Sequence, residues 1–278
     1  MSEQRVTITI EDHVADVRFN RPDKINALDG EQFAAIVDAG EELKGNLDVR
    51  AVVISGNGRG FCAGLDFSSF QAMAGGGGVD GGGGGGGGGS RPQRGIGDLE
   101  GRITHLGQQA AYVWQELHCP VIAAVHGVAL GGGAQIALGA DMRVVAPDAQ
   151  ISILEIRWGL IPDMTGTAML PLLVGLDRAK ELTFTGRMVS GAEAVQIGLA
   201  TKLSDTPLDD ALAMAAEIAS KSPTAVRGAK KLLNASPKRG VAEQFADERA
   251  TIGSLIGSPN QVEAVMAFFE KRDPKFVD

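Results

Sequence analysis

The sequence predicts an α/β fold whose last part is helical. Up to about residue 200, short apolar runs typical of strands alternate with segments typical of helices, an order that packs helices against a sheet. After that point four helical segments follow one another. We therefore divide the chain into a core region, residues 1–200, and a helical C-terminal region, residues 201–278. Thirteen of the fifteen residues at 75–89 are glycine, which predicts a mobile loop unless the run is foreign to the natural sequence.

The first elements along the chain are a hairpin, a helix and a short strand. Residues 6–10 and 14–19 are rich in β-branched residues and are separated by three polar residues, which predicts a β-hairpin. Asp29, followed three residues later by Gln32, is typical of a helix N-cap with its reciprocal partner. Residues 51–54 form a short apolar strand that leads into a glycine-rich turn.

The second half of the core region repeats the order of strand and helix. Residues 102–117 predict a helix that ends before a Cys-Pro pair, and residues 121–125 form an apolar strand. A glycine triple at residues 131–133 precedes a helix of small residues, and residues 143–146 return as a strand. The predicted helices that follow begin at the capping pair Ser190 and Glu193 and continue as residues 208–220, 223–234, 241–256 and 260–272.

Composition limits the kinds of partner. The 278 residues include 26 Lys and Arg against 34 Asp and Glu, a net charge of −8, and they contain no basic run. A protein that binds nucleic acid or coats an anionic membrane needs a basic face, so we predict neither partner. The two cysteines, Cys62 and Cys119, cannot build a disulfide framework or a four-ligand zinc site by themselves. This favours a cytoplasmic protein without a metal.

Three segments carry residue types that suit chemistry. Residues 58–66 follow a strand directly and are rich in small residues, so that backbone N–H groups can face a ligand. Residues 126–135 place glycines at the start of a helix, where free N–H groups and the helix dipole favour an anionic oxygen. Residues 154–163 hold two carboxylates, Glu155 and Asp163, in an otherwise apolar setting that tends to raise a carboxyl pKa and suits proton transfer.

Each segment also has a plainer explanation that the sequence leaves open. The glycines at 56–60 can form a turn, the glycine triple can allow close helix packing, Glu155 can lie at the surface, and Asp163 can be a helix N-cap. The dinucleotide and P-loop glycine patterns are absent, and the four histidines lack metal-ligand spacing. A nucleophile pair of Cys62 and His126 rests on residue type alone.

Several short segments, taken together in their order and spacing along the chain, match the motifs of a known family. They are Asn20-Arg21-Pro22, Asn26-Ala27-Leu28, Gly60-Phe61-Cys62-Ala63-Gly64-Leu65-Asp66, Pro120-Val121-Ile122-Ala123-Ala124-Val125-His126-Gly127, Ala129-Leu130-Gly131-Gly132-Gly133, Asp141-Met142-Arg143, Gly159-Leu160-Ile161-Pro162 and Phe268-Phe269-Glu270-Lys271-Arg272. With these segments the chain resembles the crotonase superfamily, also called the enoyl-CoA hydratase/isomerase family. The resemblance covers nearly the whole chain outside the glycine run.

The resemblance implies a crotonase-like ββα spiral core with a helical C-terminal region, assembled as a homotrimer or hexamer. It also implies an acyl-CoA substrate, no cofactor beyond the coenzyme A that the substrate carries, and no metal. The thioester oxygen is expected between two backbone N–H groups, those of Ala63 and Gly132, which form an oxyanion hole. Substrate contacts are expected from Lys24, Ala27, Gly64, Leu65 and Asp66.

The catalytic carboxylates depart from the hydratase pattern. Enoyl-CoA hydratases typically carry two glutamates; here the second is Glu155, but the first position is Gln135, whose amide cannot accept a proton at neutral pH. Asp163, eight residues after Glu155, resembles the acid/base Asp of dienoyl-CoA isomerases, although those enzymes also carry an Asp at the position of Gln135. We predict double-bond isomerisation by Glu155 and Asp163, with Gln135 as a polar orienter. The alternatives are a 2-enoyl-CoA hydratase with Glu155 as sole base and a non-catalytic acyl-CoA-binding protein.

Overall fold

The computed structural model describes residues 4–66 and 101–278, so the predicted glycine loop lies outside the described residues. The strands are Val6–Glu11 (β1), Val14–Phe19 (β2), Ala51–Gly56 (β3), Val121–Val125 (β4), Val128–Leu130 (β5), Met142–Val145 (β6), Gln150–Ser152 (β7), Val189–Ser190 (β8) and Lys202–Leu203 (β9). The helices are Gly30–Lys44 (α1), Leu106–Glu116 (α2), Gly132–Gly139 (α3), Gly166–Val174 (α4), Leu176–Thr185 (α5), Gly191–Gln196 (α6), Pro207–Ala219 (α7), Pro223–Ala235 (α8), Val241–Leu255 (α9) and Pro259–Glu270 (α10). Within these ranges no helix is long and apolar enough to cross a membrane.

The strands form a six-stranded sheet in the order β1-β2-β3-β4-β6-β9 and a three-stranded sheet in the order β5-β7-β8. In the larger sheet only β1 is antiparallel to its neighbour, and the predicted hairpin is confirmed by the pairing of Val6 with Phe19. Asp12 and His13, between its strands, have φ values of 45° and 66°. Positive φ at both residues is the geometry of the tight turn that matches strand twist. The α/β prediction and the helical C-terminal region are confirmed.

Alternating residues of the central strand β4 enter two cores. Val121, Ala123 and Val125 pack in a core shared with α1, α2 and α3, whereas Ile122 and Ala124 face α7 on the other side of the sheet. Because successive side chains of a strand point to opposite faces, a continuous apolar run is typical of a strand covered on both faces. Helix α7, although it lies in the C-terminal region, therefore packs on one face of the six-stranded sheet.

Several predicted boundaries differ from the structure. The helix predicted over 102–117 begins only at Leu106, because the side chain of His105 caps its first turn. The strand predicted over 143–146 begins one residue earlier, at Met142. Both capping pairs are only half formed: Asp29 and Ser190 accept from the expected backbone N–H groups, but the side chains of their partners bind elsewhere.

Two short bridges bring the loop after β3 beside the glycine triple. Cys62 pairs in parallel with Ala129 of β5, and Leu65 pairs in parallel with Leu28. Strand β5 then leads through Gly131 into the first residue of α3, Gly132. The segments that the sequence analysis singled out, far apart along the chain, therefore meet at the end of β5.

Candidate active site

A cavity of about 460 Å³ lies where the three segments meet. Most of its wall is apolar, and its polar groups include the backbone of residues 63–65 and 130–132 and the carboxylates of Glu155 and Asp163. The wall also contains Gly107 from the first turn of α2, so the start of that helix reaches the site. An apolar cavity with a few convergent polar groups is the usual form of a small-molecule site.

Gly132 presents one free backbone N–H group at the start of α3. Gly131, before it, has φ 50° and ψ −118°, a conformation that side-chain-bearing residues rarely adopt. The N–H of Gly131 donates to the carbonyl of Ser152 at 2.8 Å, whereas the N–H of Gly132 has no partner in the described ranges. A free N–H at a helix N-terminus is suited to a developing negative charge on oxygen.

The second predicted donor, Ala63, has to be corrected. Its N–H donates to the carbonyl of Ile25 at 2.9 Å, so it is not free to bind a ligand. Ile25 and Asn26 both have positive φ, at 51° and 54°, which turns the chain so that the Ile25 carbonyl faces the loop. The side chain of Asn26 holds this turn by donating to the carbonyls of Gly60 and, at 3.2 Å, of Phe61.

Leu65 supplies the free N–H group that Ala63 lacks. On one side of the loop, Leu28 donates to the carbonyl of Gly64 and accepts from the N–H of Asp66, both at 2.8 Å. Neighbouring N–H groups of an extended chain point in opposite directions, so the N–H of Leu65 faces away from Leu28. It has no partner among the described residues, and Gly64 packs so closely on β5 that an added Cβ would lie 2.6 Å from the Leu130 carbonyl oxygen.

Gln135 is completely buried below the cavity and does not line it. Its Oε1 accepts from the N–H groups of Met164 and Gly166 at 2.9 and 3.0 Å, and its Nε2 donates to Oε1 of Glu155 at 2.6 Å. Because two backbone donors fix which amide atom is the oxygen, the NH₂ group must face Glu155. Gln135 therefore holds the Glu155 carboxylate against the loop that carries Met164.

Glu155 lies at the start of a short 3₁₀ helix, Glu155–Trp158, and is only 9% exposed. Its Oε2 is buried without a hydrogen-bond partner from another residue in the described ranges. Burial raises the pKa of the Glu155 carboxyl, and the charge of Asp163 adds to this, while hydrogen bonds from its own backbone and from Gln135 oppose it. A cavity-lining carboxyl with one free oxygen and a raised pKa is suited to proton transfer.

Asp163 is not a helix N-cap, the plainer explanation that the sequence left open. Helix α4 begins at Gly166 after Thr165, three and two residues later, and no side chain caps it. Instead Asp163 lines the cavity with a side chain that is 44% exposed. Its Oδ2 lies 4.0 Å from Nε2 of His105. The two carboxylates predicted as an acid/base pair therefore line one cavity, with Glu155 buried and Asp163 open to solvent.

The predicted substrate contacts divide into two groups. Gly64 and Leu65 line the cavity. Lys24 is exposed and Ala27 is buried, and neither belongs to the cavity wall. Asp66 is buried, and its Oδ2 accepts from Nη1 of Arg21 at 2.6 Å, so this carboxylate helps to hold the loop in place and does not line the cavity.

The structure argues against Cys62 and His126 as a nucleophile pair. The Cys62 thiol is buried and donates to the carbonyl of Asn26 at 3.1 Å, and burial raises its pKa to about 12. His126 instead contacts the carbonyl of Gly58. Because the thiolate is the reactive form of cysteine, this thiol is inert at neutral pH. In the described ranges no three His, Cys, Asp or Glu side chains converge as metal ligands would.

None of the sequence motifs identified His105 as a site residue. Its signal was its place before an amphipathic helix with Gln108 three residues later, the spacing of a capping box. The structure shows that box, with His105 accepting from the backbone N–H of Gln108 and the Gln108 side chain accepting from the backbone N–H of His105. The apolar wall contributed by Phe33 and Met188 was also missed, because neither lies in a recognised motif.

Comparison with known proteins gives consistent results. The family model described as enoyl-CoA hydratase/isomerase matches residues 9–77 and 102–278. A peroxisomal Delta(3,5)-Delta(2,4)-dienoyl-CoA isomerase of Arabidopsis thaliana is 35% identical over 92% of this chain and 90% of its own length. A short-chain-enoyl-CoA hydratase of Clostridium acetobutylicum is 31% identical over 98% and 97%. The crystal structure of an enoyl-CoA hydratase from Mycobacterium tuberculosis H37Rv superposes with a TM-score of 0.82 at 29% identity, covering 99% of both chains.

Proposed function

Because the chain belongs to the enoyl-CoA hydratase/isomerase family, as a crotonase-type enzyme, we propose that it moves a double bond in an unsaturated acyl-CoA thioester. The observation that carries this proposal is the position of Glu155 and Asp163. Both carboxylates line the cavity that also contains the free N–H group of Leu65 and the start of α3 at Gly132. Two proton-transfer groups and an oxyanion hole in one cavity are the components of a proton shuttle.

The proposed reaction conserves every atom of the substrate. One carboxylate removes a proton from a carbon at one end of the conjugated system, and the electron pair is delocalised onto the thioester oxygen. The N–H groups of Leu65 and Gly132 donate hydrogen bonds to this oxygen while it is negatively charged. The other carboxylate supplies a proton at the far end, and the thioester carbonyl is restored. The raised pKa of Glu155 increases the population of the protonated form that one half of this cycle needs.

The hydrogen bonds of Gln135 favour isomerisation over hydration. Hydration requires a group that deprotonates water, and the amide oxygen of Gln135 already accepts two backbone N–H groups. Its NH₂ group donates to Glu155, so in this arrangement Gln135 orients a carboxylate and does not act as a second base. The similarity to a dienoyl-CoA isomerase, at 35% identity, supports the same choice.

A panel of thioesters tests the proposal. The purified protein is incubated with 3-enoyl-, 3,5-dienoyl- and 2-enoyl-CoA, and ultraviolet absorbance follows the conjugation of each substrate. We expect conversion of the 3-enoyl or 3,5-dienoyl substrate and slow or absent hydration of the 2-enoyl substrate. Fast hydration of the 2-enoyl substrate without conversion of the other two contradicts the proposal and supports the hydratase alternative. Binding of all three without turnover establishes the acyl-CoA-binding alternative.

Assembly and cellular location remain predictions. The predicted homotrimer or hexamer is supported by large apolar side chains that the last two helices expose in the single chain: Val241, Phe245, Ile252, Val262, Phe268 and Phe269. Such a surface is typical of one that is covered in an assembly. Cys62 and Cys119 are both free and buried, which suits the predicted cytoplasmic location.

A further inference from the structure

The hydrogen bonds of His105 fix both the orientation of its ring and the position of its proton. Nδ1 accepts from the backbone N–H groups of Gly107 and Gln108 at 3.1 and 3.3 Å, as the N-cap of α2. A ring nitrogen that accepts a hydrogen bond carries no proton, so the neutral imidazole must carry its proton on Nε2. The helix cap therefore selects one tautomer of His105.

The protonated nitrogen faces the cavity carboxylate. Nε2 of His105 lies 4.0 Å from Oδ2 of Asp163, and the His105 side chain is 19% exposed. An added Cβ on Gly107, which lines the cavity, would lie 3.1 Å from Cε1 of His105 and 3.6 Å from Cγ of Met164, so the ring and the residue after Asp163 both lie close to the first turn of α2. The distance between Nε2 and Oδ2 is about 1 Å longer than a direct hydrogen bond. Hydrogen bonds in active sites are often this long without substrate and shorten when substrate binds.

We propose that His105 is a positioning residue for Asp163. Its Nε2–H directs the Asp163 carboxylate into the cavity and stabilises its ionised form, the form that accepts a proton in one half of the cycle. The inference rests on the proposed function, because it assigns to His105 an effect on a proton transfer by Asp163. Two other charged residues belong to the same cavity wall. Glu155 opposes this effect, since two like charges disfavour each other, and the positive charge of Arg157 acts in the same direction as the Nε2–H of His105.

Two substitutions separate positioning from helix capping. Asn and Asp are both strong N-cap residues whose side-chain oxygen can replace Nδ1, so His105→Asn and His105→Asp should leave the melting temperature close to that of the wild type. Asp carries no N–H, and the shorter side chain of Asn holds its NH₂ group closer to the helix and farther from Asp163 than Nε2 of His105. We expect kcat for isomerisation to fall about tenfold in His105→Asn, with KM little changed. In His105→Asp the added negative charge should lower kcat further and move the acid limb of the kcat–pH profile to higher pH.

The loss of kcat caused by His105→Asn must also depend on the presence of Asp163. In the Asp163→Asn background, His105→Asn should cause no further loss, because the group that it positions is gone. Wild-type kcat in both His105 variants, or equal fold losses with and without Asp163, overturns the inference and leaves the proposed function intact. Full activity of Asp163→Asn alone overturns the proposed acid/base pair, and the inference with it.

Discussion

Glu155→Gln is expected to lower kcat for isomerisation by about 10³-fold, within the range that a positioned acid/base group supplies. Gln is close to Glu in size, and its side-chain oxygen can still accept from Nε2 of Gln135, so the local packing is kept. It cannot carry the transferred proton, however, because its amide does not titrate near neutral pH. The measurement is kcat for the best substrate of the thioester panel, with Glu11→Gln, an exposed position at the end of β1, as the matched control.

The same variant makes a second, independent measurement possible. A carboxyl whose pKa is raised in the folded state stabilises the fold at low pH, and this contribution is lost as pH rises through the raised pKa. Glu155→Gln removes the cost of burying the charge, so its melting temperature should equal that of the wild type near pH 4 and exceed it increasingly towards neutral pH. An inactive variant that is also unstable at neutral pH would point to misfolding, and near-normal kcat would remove Glu155 from the mechanism.

Gly132→Pro is expected to lower kcat by 10²- to 10³-fold, the usual effect of losing one oxyanion donor. Proline has no backbone N–H, and the first position of a helix is where it fits best because that N–H makes no helical bond. Gly132 is this first position of α3. The substitution therefore deletes one hydrogen-bond donor and retains a residue that is compatible with the helix start.

Gly132→Ala is the matched control for crowding by the added Cβ. A Cβ at this position would lie 2.9 Å from both Cδ1 of Leu28 and Sδ of Met164, the ends of flexible side chains, in either variant. Ala keeps the N–H, whereas Pro replaces its hydrogen with the ring Cδ, which also fills the place beside the nitrogen where the thioester oxygen would bind. We expect the Ala variant to retain at least tenfold more activity than the Pro variant, with similar melting temperatures. Equal loss in both variants would assign the effect to packing and contradict the oxyanion role of Gly132.

Local patterns in the sequence predicted most of the fold. The hairpin, the strand over 121–125 and the N-cap at Asp29 follow from neighbouring residues, since short apolar runs and capping depend on a few adjacent side chains. The family motifs predicted which segments meet. Helix α2 begins later than predicted because a histidine side chain caps it, and histidine is not among the usual N-cap residues.

Sequence patterns were insufficient where an atom's partner comes from a distant segment. Ala63 was predicted as a free donor, but the positive φ of Ile25 brings a carbonyl to it, and Leu65 is left free in its place. The side chain of Gln135 is fixed by the backbone of Met164 and Gly166, a loop that no local pattern connects to it. Such contacts depend on the packed fold, and a motif specifies only which residue types are present.

The proton shuttle itself can be tested by solvent deuterium exchange with single variants. The wild type, Glu155→Gln and Asp163→Asn are each incubated with 3,5-dienoyl-CoA in deuterated water, and mass spectrometry records both isomerisation and the deuterium gained by recovered substrate. We predict that both variants isomerise the substrate about 10²- to 10⁴-fold more slowly than the wild type, while one of the two still exchanges hydrogen at the carbon that its remaining carboxylate faces. Net isomerisation at the wild-type rate by either single variant would contradict the account.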